Sequence, residues 1–418
     1  TDVQLTGVIR IHGMPSAPHL DFAGLVRENT NLTVLHASKI DDVATARHAI
    51  SSGKLDLVGM TRAHMADPHI VLKIIEGREE EIRPCVGATY CLDGIYENGE
   101  ALCLHNAATG REAKMPHVLK KSSQQLNIVV IGAGPGGLEA ARVAGERGHN
   151  VKVFEAMPWA GGQLSLAVRN PRRQDLQGII DWRVGELERL GVEVIYNHLA
   201  ELDDITSLES DVVIVATGGL PQLPPLQTGK SNVITSWDVL SGEFKLEGSV
   251  LFYDDNGTHS SLSAAELLAE AGINLEILTP ERTLGIEVGG VNYVPYARAF
   301  NENDVSVTLN QRVLRIEGDN SKLKVRVGSD HSDHFSFRVV DWVVVDHGTL
   351  PNADLYFKLK PYSWNGGEVN YDALLKGTAQ PKSEMGNELF SLYRIGDAVA
   401  GRNVHAAIYD ALRLLKDI

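Results

Sequence analysis

The stretch Gly132-Ala133-Gly134-Pro135-Gly136-Gly137 constrains this chain more than any other, because glycines at that spacing, between an apolar run and an amphipathic one, suit few local folds. The apolar run 127–131 precedes it and an amphipathic run 138–147 follows, so the pattern predicts strand, tight turn and helix. Residues 151–154 read as the next strand, which ends at Glu155, about twenty residues beyond the turn. In such a βαβ unit Gly132 permits the sharp reversal and Gly134 lets backbone N–H groups approach a pyrophosphate. Gly137 lets helix and strand pack closely. Pro135 and Gly136 belong to the same turn, and Glu155 is placed to accept from ribose hydroxyls. A lone glycine pattern would be a structural turn. The strand, the helix and the acidic residue together make it an adenine-nucleotide site.

Three further segments carry small residues where a cofactor would need room. Gly161-Gly162-Gln163-Leu164 follows the acidic strand, and is either a close backbone approach to a pyrophosphate and ribityl chain or a plain loop. The buried run 211–215 leads into Ala216-Thr217-Gly218-Gly219, a turn that lets the chain pass beside a bound group. Near the C-terminus, the strand Tyr393-Arg394-Ile395 runs into Gly396-Asp397-Ala398 ahead of the last helix, expected over 404–415. Asp397 either binds a ribityl hydroxyl or caps that helix.

A second βαβ unit is expected from strand 249–253, helix 263–270 and strand 275–278. Its turn reads Tyr253-Asp254-Asp255-Asn256-Gly257-Thr258, without the glycine-rich pattern. Two aspartates beside a pyrophosphate would repel it, which argues against electrons arriving from NAD(P)H. After Ser306 the β-rich runs 307–309, 315–317, 323–327 and 335–345 suggest antiparallel strands closing this unit.

Ahead of the glycine turn, strand 32–36, helix 42–51 and strand 55–60 have the rhythm of a parallel β/α unit. Only two or three such units fit before Arg83, whereas an eight-stranded barrel needs on the order of 200 residues or more. Regular periodicity fades over 83–121, where Cys85, Cys91 and Cys103 lie, and the polar, basic stretch 117–123 reads as a linker.

At 418 residues, 43% hydrophobic and with 40 glycines, the chain is read as a soluble multidomain α/β protein. A net charge of −15 and the lack of any Lys/Arg run argue against nucleic acid. No apolar run is long enough for a membrane span, and residues 1–11 lack the pattern of a signal peptide, so a cytoplasmic location is expected. Three cysteines are an odd number for a reducing compartment, which argues against a disulfide framework and makes a metal or cluster site worth testing. The chain has no initiator Met and opens as if in the middle of a fold, as a fragment or processed subunit would. His259, His347 and His405 show no partner in the sequence and receive no role.

The four small-residue motifs, in this order, resemble the FAD-binding half of disulfide-reductase-like flavoproteins with two dinucleotide domains. Gly59-Met-Thr-Arg62-Ala-His-Met-Ala-Asp67-Pro68 followed by Arg83-Pro-Cys85 resembles the end of an old-yellow-enzyme-type barrel entering a cysteine cluster. The whole arrangement resembles the family of trimethylamine dehydrogenase and 2,4-dienoyl-CoA reductase.

That resemblance implies FMN in the barrel, its phosphate against Ala37, Ser38, Thr61 and Arg62, with a surface ion pair to Asp67 or Glu76 as the alternative for Arg62. It also implies FAD, or ADP in its place, at the Gly132 turn, and an iron-sulfur centre at Cys85, Cys91 and Cys103. Ala88 stands where the family has its second cysteine. A 4Fe-4S cluster with another fourth ligand, a 3Fe-4S cluster and three buried structural thiols are all open readings.

The resemblance divides the chain into a barrel end (1–82), a cysteine segment with linker (83–122), an FAD-binding domain (123–245 with 340–418) and a second nucleotide-binding-like domain (246–339). The fold class is thus the end of a TIM-type barrel followed by two Rossmann-like domains. The implied function is oxidative N-demethylation of a small methylated amine or amino acid, in a homo- or hetero-oligomer passing electrons to an electron-transfer protein. The alternatives are an NAD(P)H-dependent dienoyl-CoA or enoate reductase, and an electron-transfer subunit whose barrel lies on a partner chain. No catalytic base can be named from this stretch of sequence.

Overall fold

The computed structural model describes residues 13–223, 232–319, 321–381 and 389–418. The segment 1–11 lies outside them. The chain divides into two compact units. One comprises residues 1–165, 175–219 and 351–418, the other residues 166–174 and 220–350.

The first unit is built on a five-stranded parallel sheet in the order Ser391–Arg394, Val212–Val215, Asn127–Ile131, Asn150–Phe154, Glu193–Ile195. Alternation along these strands sorts the core. Val129, Ile131, Val213, Val215 and Leu392 point to one face, against Ile205, Tyr356 and Leu359. The helix Pro135–Glu146 packs on the strands with the helices Gln177–Arg189 and Val404–Leu415 beside it. It starts at Pro135, earlier than the apolar periodicity suggests, because proline fits the first helical position and lacks the N–H left unsatisfied there.

The barrel-like part of this unit is small. The expected strands shrink to Leu35–His36 and Leu57–Val58, which pair in parallel, and the helix Val43–Ser51 between them is capped by Asp42, whose carboxylate accepts from Thr45 N–H at 2.7 Å. Leu20, Ala23, Ile40, Ala49 and Leu55 form its local core.

In the second unit a parallel sheet runs Ser306–Thr308, Asn274–Leu278, Ser249–Asp254, Trp342–Asp346, Val233–Thr235. Val250 and Phe252 face the helices, while Leu251 and Tyr253 face a three-stranded antiparallel sheet, Arg312–Asp319, Lys322–Ser329 and Ser332–Val340. Two expectations need correction. The strand at 306–308 is parallel, since the helix Gly290–Glu302 carries the chain back across the sheet before it. The run 335–345 is two strands broken at Asp341, whose carboxylate turns to accept from Ser249 N–H at 2.8 Å. The helix expected over 263–270 begins at His259, because Thr258 caps it by accepting from Ser260 N–H.

No helix among the described residues is long and apolar enough to cross a membrane.

Candidate functional site

All four small-residue motifs of the first unit follow the carboxyl ends of adjacent parallel strands, the edge where open α/β sheets bind ligands. The glycines of the turn are bare for different reasons. Gly132 has φ +103° and a Cβ there would lie 2.4 Å from the Ala216 carbonyl oxygen; a Cβ on Gly137 would lie 1.8 Å from the Gly132 oxygen. Gly136 would press on the Ala407 carbonyl oxygen at 3.3 Å. Gly134 is different. Its φ of −71° suits any residue, and the nearest atom to an added Cβ is Gly162 Cα at 4.0 Å. Nothing in the protein demands a glycine at 134, so the open space above it fits a group that the protein binds.

Gly161 and Gly162, at φ +125° and +53°, bring the second motif onto the first, with Gly161 N–H donating to the Ala133 oxygen at 2.8 Å. Glu155 is buried. One carboxylate oxygen accepts from Ala133 N–H at 2.6 Å and the other from Met157 N–H at 2.8 Å. It therefore pins the turn while keeping lone pairs for a ribose. Gln163 and Asp397, 234 positions apart, meet: Gln163 Nε2 donates to Asp397 Oδ2 at 3.1 Å. Burial pushes the Asp397 carboxyl up, opposed by the N–H of Arg402 and by Gln163. Asp397 does not cap the last helix. Asn403 does, accepting from Ala406 N–H at 2.9 Å, so the carboxylate of Asp397 stays at the sheet edge. Gly396 holds φ +61° with its N–H on Asp410 at 3.2 Å. In the third motif, Ala216 N–H donates to Ile131 at 2.8 Å and the Thr217 hydroxyl to the Asn352 carbonyl, leaving Gly218 at φ +71° facing Gln163.

Cys85, Cys91 and Cys103 line one cavity with Ala88, Arg62, Met65, Tyr90 and His105. Burial raises all three thiols, Cys85 to about 11; Arg62 opposes this at Cys85 and Cys91, as do the N–H of Gly87 at Cys85 and that of Asn106 at Cys103. Asn106 N–H points at Cys103 Sγ from 3.4 Å. Among the described residues no three His, Cys, Asp or Glu side chains are arranged to hold a single metal ion. Each of the three thiols is met by backbone N–H groups, which would favour it as a thiolate ligand.

Cations surround this place. Fully buried Glu139 bonds Arg183 at 2.9 Å and Arg142 at 2.7 Å, while Arg83 lies over the Trp182 ring at 4.1 Å with its Nε buried and without a hydrogen-bond partner. Burial opposes the charge on Glu139, yet Arg142 and Arg183 hold its carboxyl well below the usual range. Burial pulls Arg183 down to about 10. Arg83 and Arg183 both favour the thiolate of Cys103. An anionic occupant would balance this buried positive charge.

Ala37 and Ser38 follow the strand Leu35–His36, and Thr61 and Arg62 follow Leu57–Val58, so both sets stand at one edge of the paired strands. Arg62 reaches the cysteine cavity, whereas Thr61 lines a separate cleft of about 530 Å³ with His64 and His117. Asp67 pairs with Lys73 at 2.7 Å and Glu76 with Arg78.

The second unit's turn is closed from within. Asp254 is fully buried, and its Oδ1 accepts from Gly257 N–H at 2.7 Å and Asn256 N–H at 3.2 Å. Burial pushes its carboxyl up to about 6, against those N–H groups. Asp255 bonds His347 at 3.0 Å.

Neither the Glu139 network nor the contacts of His405 could be read from local sequence pattern. Charged residues on an otherwise apolar helix face were the available signal for the first. His405 takes its place through pairings far along the chain: Nδ1 donates to the Cys103 carbonyl at 2.9 Å, Nε2 accepts from Arg111 at 3.1 Å, and its ring lies 4.7 Å from that of Tyr90.

The family described as pyridine nucleotide-disulphide oxidoreductase matches residues 126–247. A protein of Rhizobium meliloti (strain 1021) named as a probable N-methylproline demethylase is 54% identical over all of this chain, which covers 62% of that protein. An N,N-dimethylglycine/sarcosine dehydrogenase of Chromohalobacter salexigens is 39% identical over 99% of the chain and 61% of its own length. The solved 2-naphthoyl-CoA reductase shares the fold, with a TM-score of 0.83 at 24% identity over 98% of this chain and 58% of that one. The fold and these relatives define a flavoprotein oxidoreductase. Within that class the chain is similar to old-yellow-enzyme-like reductases and demethylases, and it spans about 62% of the length of the curated relatives it matches.

Proposed function

We propose that this chain is the electron-relaying portion of a dehydrogenase that oxidatively N-demethylates a small methylated amine or amino acid and passes electrons to a protein acceptor. The observation that carries this reading is the convergence of Gly134, Gly162, Gln163 and Asp397 on one sheet edge, in a chain 54% identical throughout to a probable N-methylproline demethylase. Bound there, FAD would supply one- and two-electron redox chemistry. The residues present fit it: the turn from Gly132 to Gly137 would offer N–H groups to the pyrophosphate, Glu155 would take a ribose, and Gln163 with Asp397 would orient a ribityl chain. Cys85, Cys91 and Cys103 would hold an iron-sulfur cluster, and Ala37, Ser38, Thr61 and Arg62 would meet the phosphate of FMN.

The closed turn of the second unit supports an electron source other than NAD(P)H, because Asp254 already uses the N–H groups that a pyrophosphate would need. The test is anaerobic reduction of the full-length protein. N-methylproline, dimethylglycine or sarcosine should bleach the flavin and, with an acceptor, release formaldehyde. Bleaching by NADPH with no response to any methylated amine would replace this reading with that of a reductase.

A further inference from the structure

Ala88 lines the same cavity as Cys85, Cys91 and Cys103, and its backbone is clamped on both sides. Gly87 and Thr89 both adopt left-handed backbone, at φ +65° and +57°, and the Thr89 hydroxyl donates to the Ala88 carbonyl at 2.8 Å. Thr89 in turn precedes the helix Tyr90–Asn98 that carries Cys91. A bulky non-glycine residue at positive φ is uncommon, so the loop is held to one path, and that path puts a methyl group on the cavity wall. Two of the other side chains around the cavity are poor replacements for a thiolate. Arg62 is a cation with donors only, and Met65 offers a weak thioether acceptor. His105 has Nδ1 committed to the Pro84 carbonyl at 3.0 Å and its ring edge-on to Trp182 at 5.4 Å, while its Nε2 is buried without a hydrogen-bond partner and is the competitor that the His105→Ala variant below tests.

We infer that the cluster held by Cys85, Cys91 and Cys103 is site-differentiated: the iron at the Ala88 corner has no side-chain ligand, is exchangeable, and accepts a small exogenous donor such as hydroxide, cyanide or a free thiolate. This rests on the cluster assignment proposed above and deepens it. A one-electron oxidant such as ferricyanide would then extract that iron. The 2+ four-iron cluster becomes a 1+ three-iron cluster, one Fe2+ departs, and one electron reduces ferricyanide to ferrocyanide. Atoms and charge balance, and Fe2+ with a reductant reverses the step.

The experiment uses the anaerobically purified full-length protein, with iron and acid-labile sulfide counted before and after ferricyanide and an electron paramagnetic resonance spectrum taken at each point. Iron should fall from about four to about three per four sulfides, with growth of the odd-electron signal of an all-ferric three-iron centre. Added Fe2+ and dithionite should restore the original state. In Ala88→Cys, which supplies a fourth thiolate, the iron count should hold under the same oxidant. The wild-type stoichiometry decides the matter even if that variant fails to fold. Four irons retained by the wild type overturn the inference and leave the cluster assignment standing; loss of one iron only in His105→Ala would then name His105 as the fourth ligand. If anaerobic reconstitution yields neither iron nor sulfide, the cluster assignment itself falls.

Discussion

Replacing Gly134 by alanine and Gly137 by alanine should have opposite consequences, although both residues belong to one short turn. At 134 an added Cβ has no protein atom nearer than 4.0 Å, and the backbone conformation suits alanine. The residue is also the N-cap of its helix, where exchanging glycine for alanine costs at most about 1 kcal/mol. The apoprotein of Gly134→Ala should therefore melt within a few degrees of wild type. The methyl group would occupy the space through which a pyrophosphate approaches the turn. Loss of one or two charge-assisted N–H hydrogen bonds, about 3 kcal/mol in all, would weaken flavin binding roughly 150-fold. At 137 the added Cβ would lie 1.8 Å from a backbone oxygen, far inside the 3.0 Å that real contacts respect, so strand and helix must move apart. The helix preference for alanine, about 1 kcal/mol, is outweighed by an overpacking cost of about 1–3 kcal/mol or more. Gly137→Ala should thus lower the melting temperature of the apoprotein as well as flavin content. The assay is thermal unfolding of both apoproteins beside a titration with FAD followed by flavin fluorescence. Wild-type FAD affinity in Gly134→Ala, or an apoprotein as unstable as Gly137→Ala, would refute the reasoning.

Asp397→Ala should weaken flavin retention with little change in apoprotein stability, whereas Asn403→Ala should cost about 1 kcal/mol of stability, because Asn403 and not Asp397 caps the last helix; flavin content and melting curves separate the two. Arg183→Met removes one partner of buried Glu139 and should destabilise by about 3–5 kcal/mol, read from urea unfolding. Because the folded Glu139 pKa is depressed, the stability it contributes is present above the unfolded value and is lost as pH falls toward the folded one, so this penalty should shrink in acid. Asp254 has the reverse sign: its folded pKa, about 6, exceeds the ordinary value of 3.8, so folding loses stability as pH rises between these values and the full cost stands above them. Asp254→Asn should accordingly raise the melting temperature at pH 8 and much less at pH 4, by up to about 3 kcal/mol; an equal effect at both would show that the carboxyl is not the cause.

The parts of the site written in local spacing were legible. Gly132 and Gly137 declare themselves because backbone geometry or close packing forbids alternatives, Glu155 by its spacing from the turn, and the last helix, Val404–Leu415, follows from its apolar stripe alone. Long-range pairings were not legible. Nothing in the sequence joins Gln163 to Asp397, or His405 to the carbonyl of Cys103, because tertiary packing and not periodicity brings them together. The strand at 306–308 was misread for a related reason. Alternation reports burial on one face and says nothing of strand direction, which the preceding helix decides.

The first unit is written in pieces on either side of the second. Beside the points where the chain leaves it and returns, Asn352 N–H donates to the Gly218 carbonyl at 2.9 Å and the Thr217 hydroxyl donates to the Asn352 carbonyl. During synthesis the glycine turn emerges from the ribosome long before the strand Ser391–Arg394 and Asp397, so the nucleotide edge is incomplete until the second unit has been made. Cofactor capture at this edge would come late in translation, and a chain cut short beyond Gly219 would keep the fingerprint of the site without its final carboxylate.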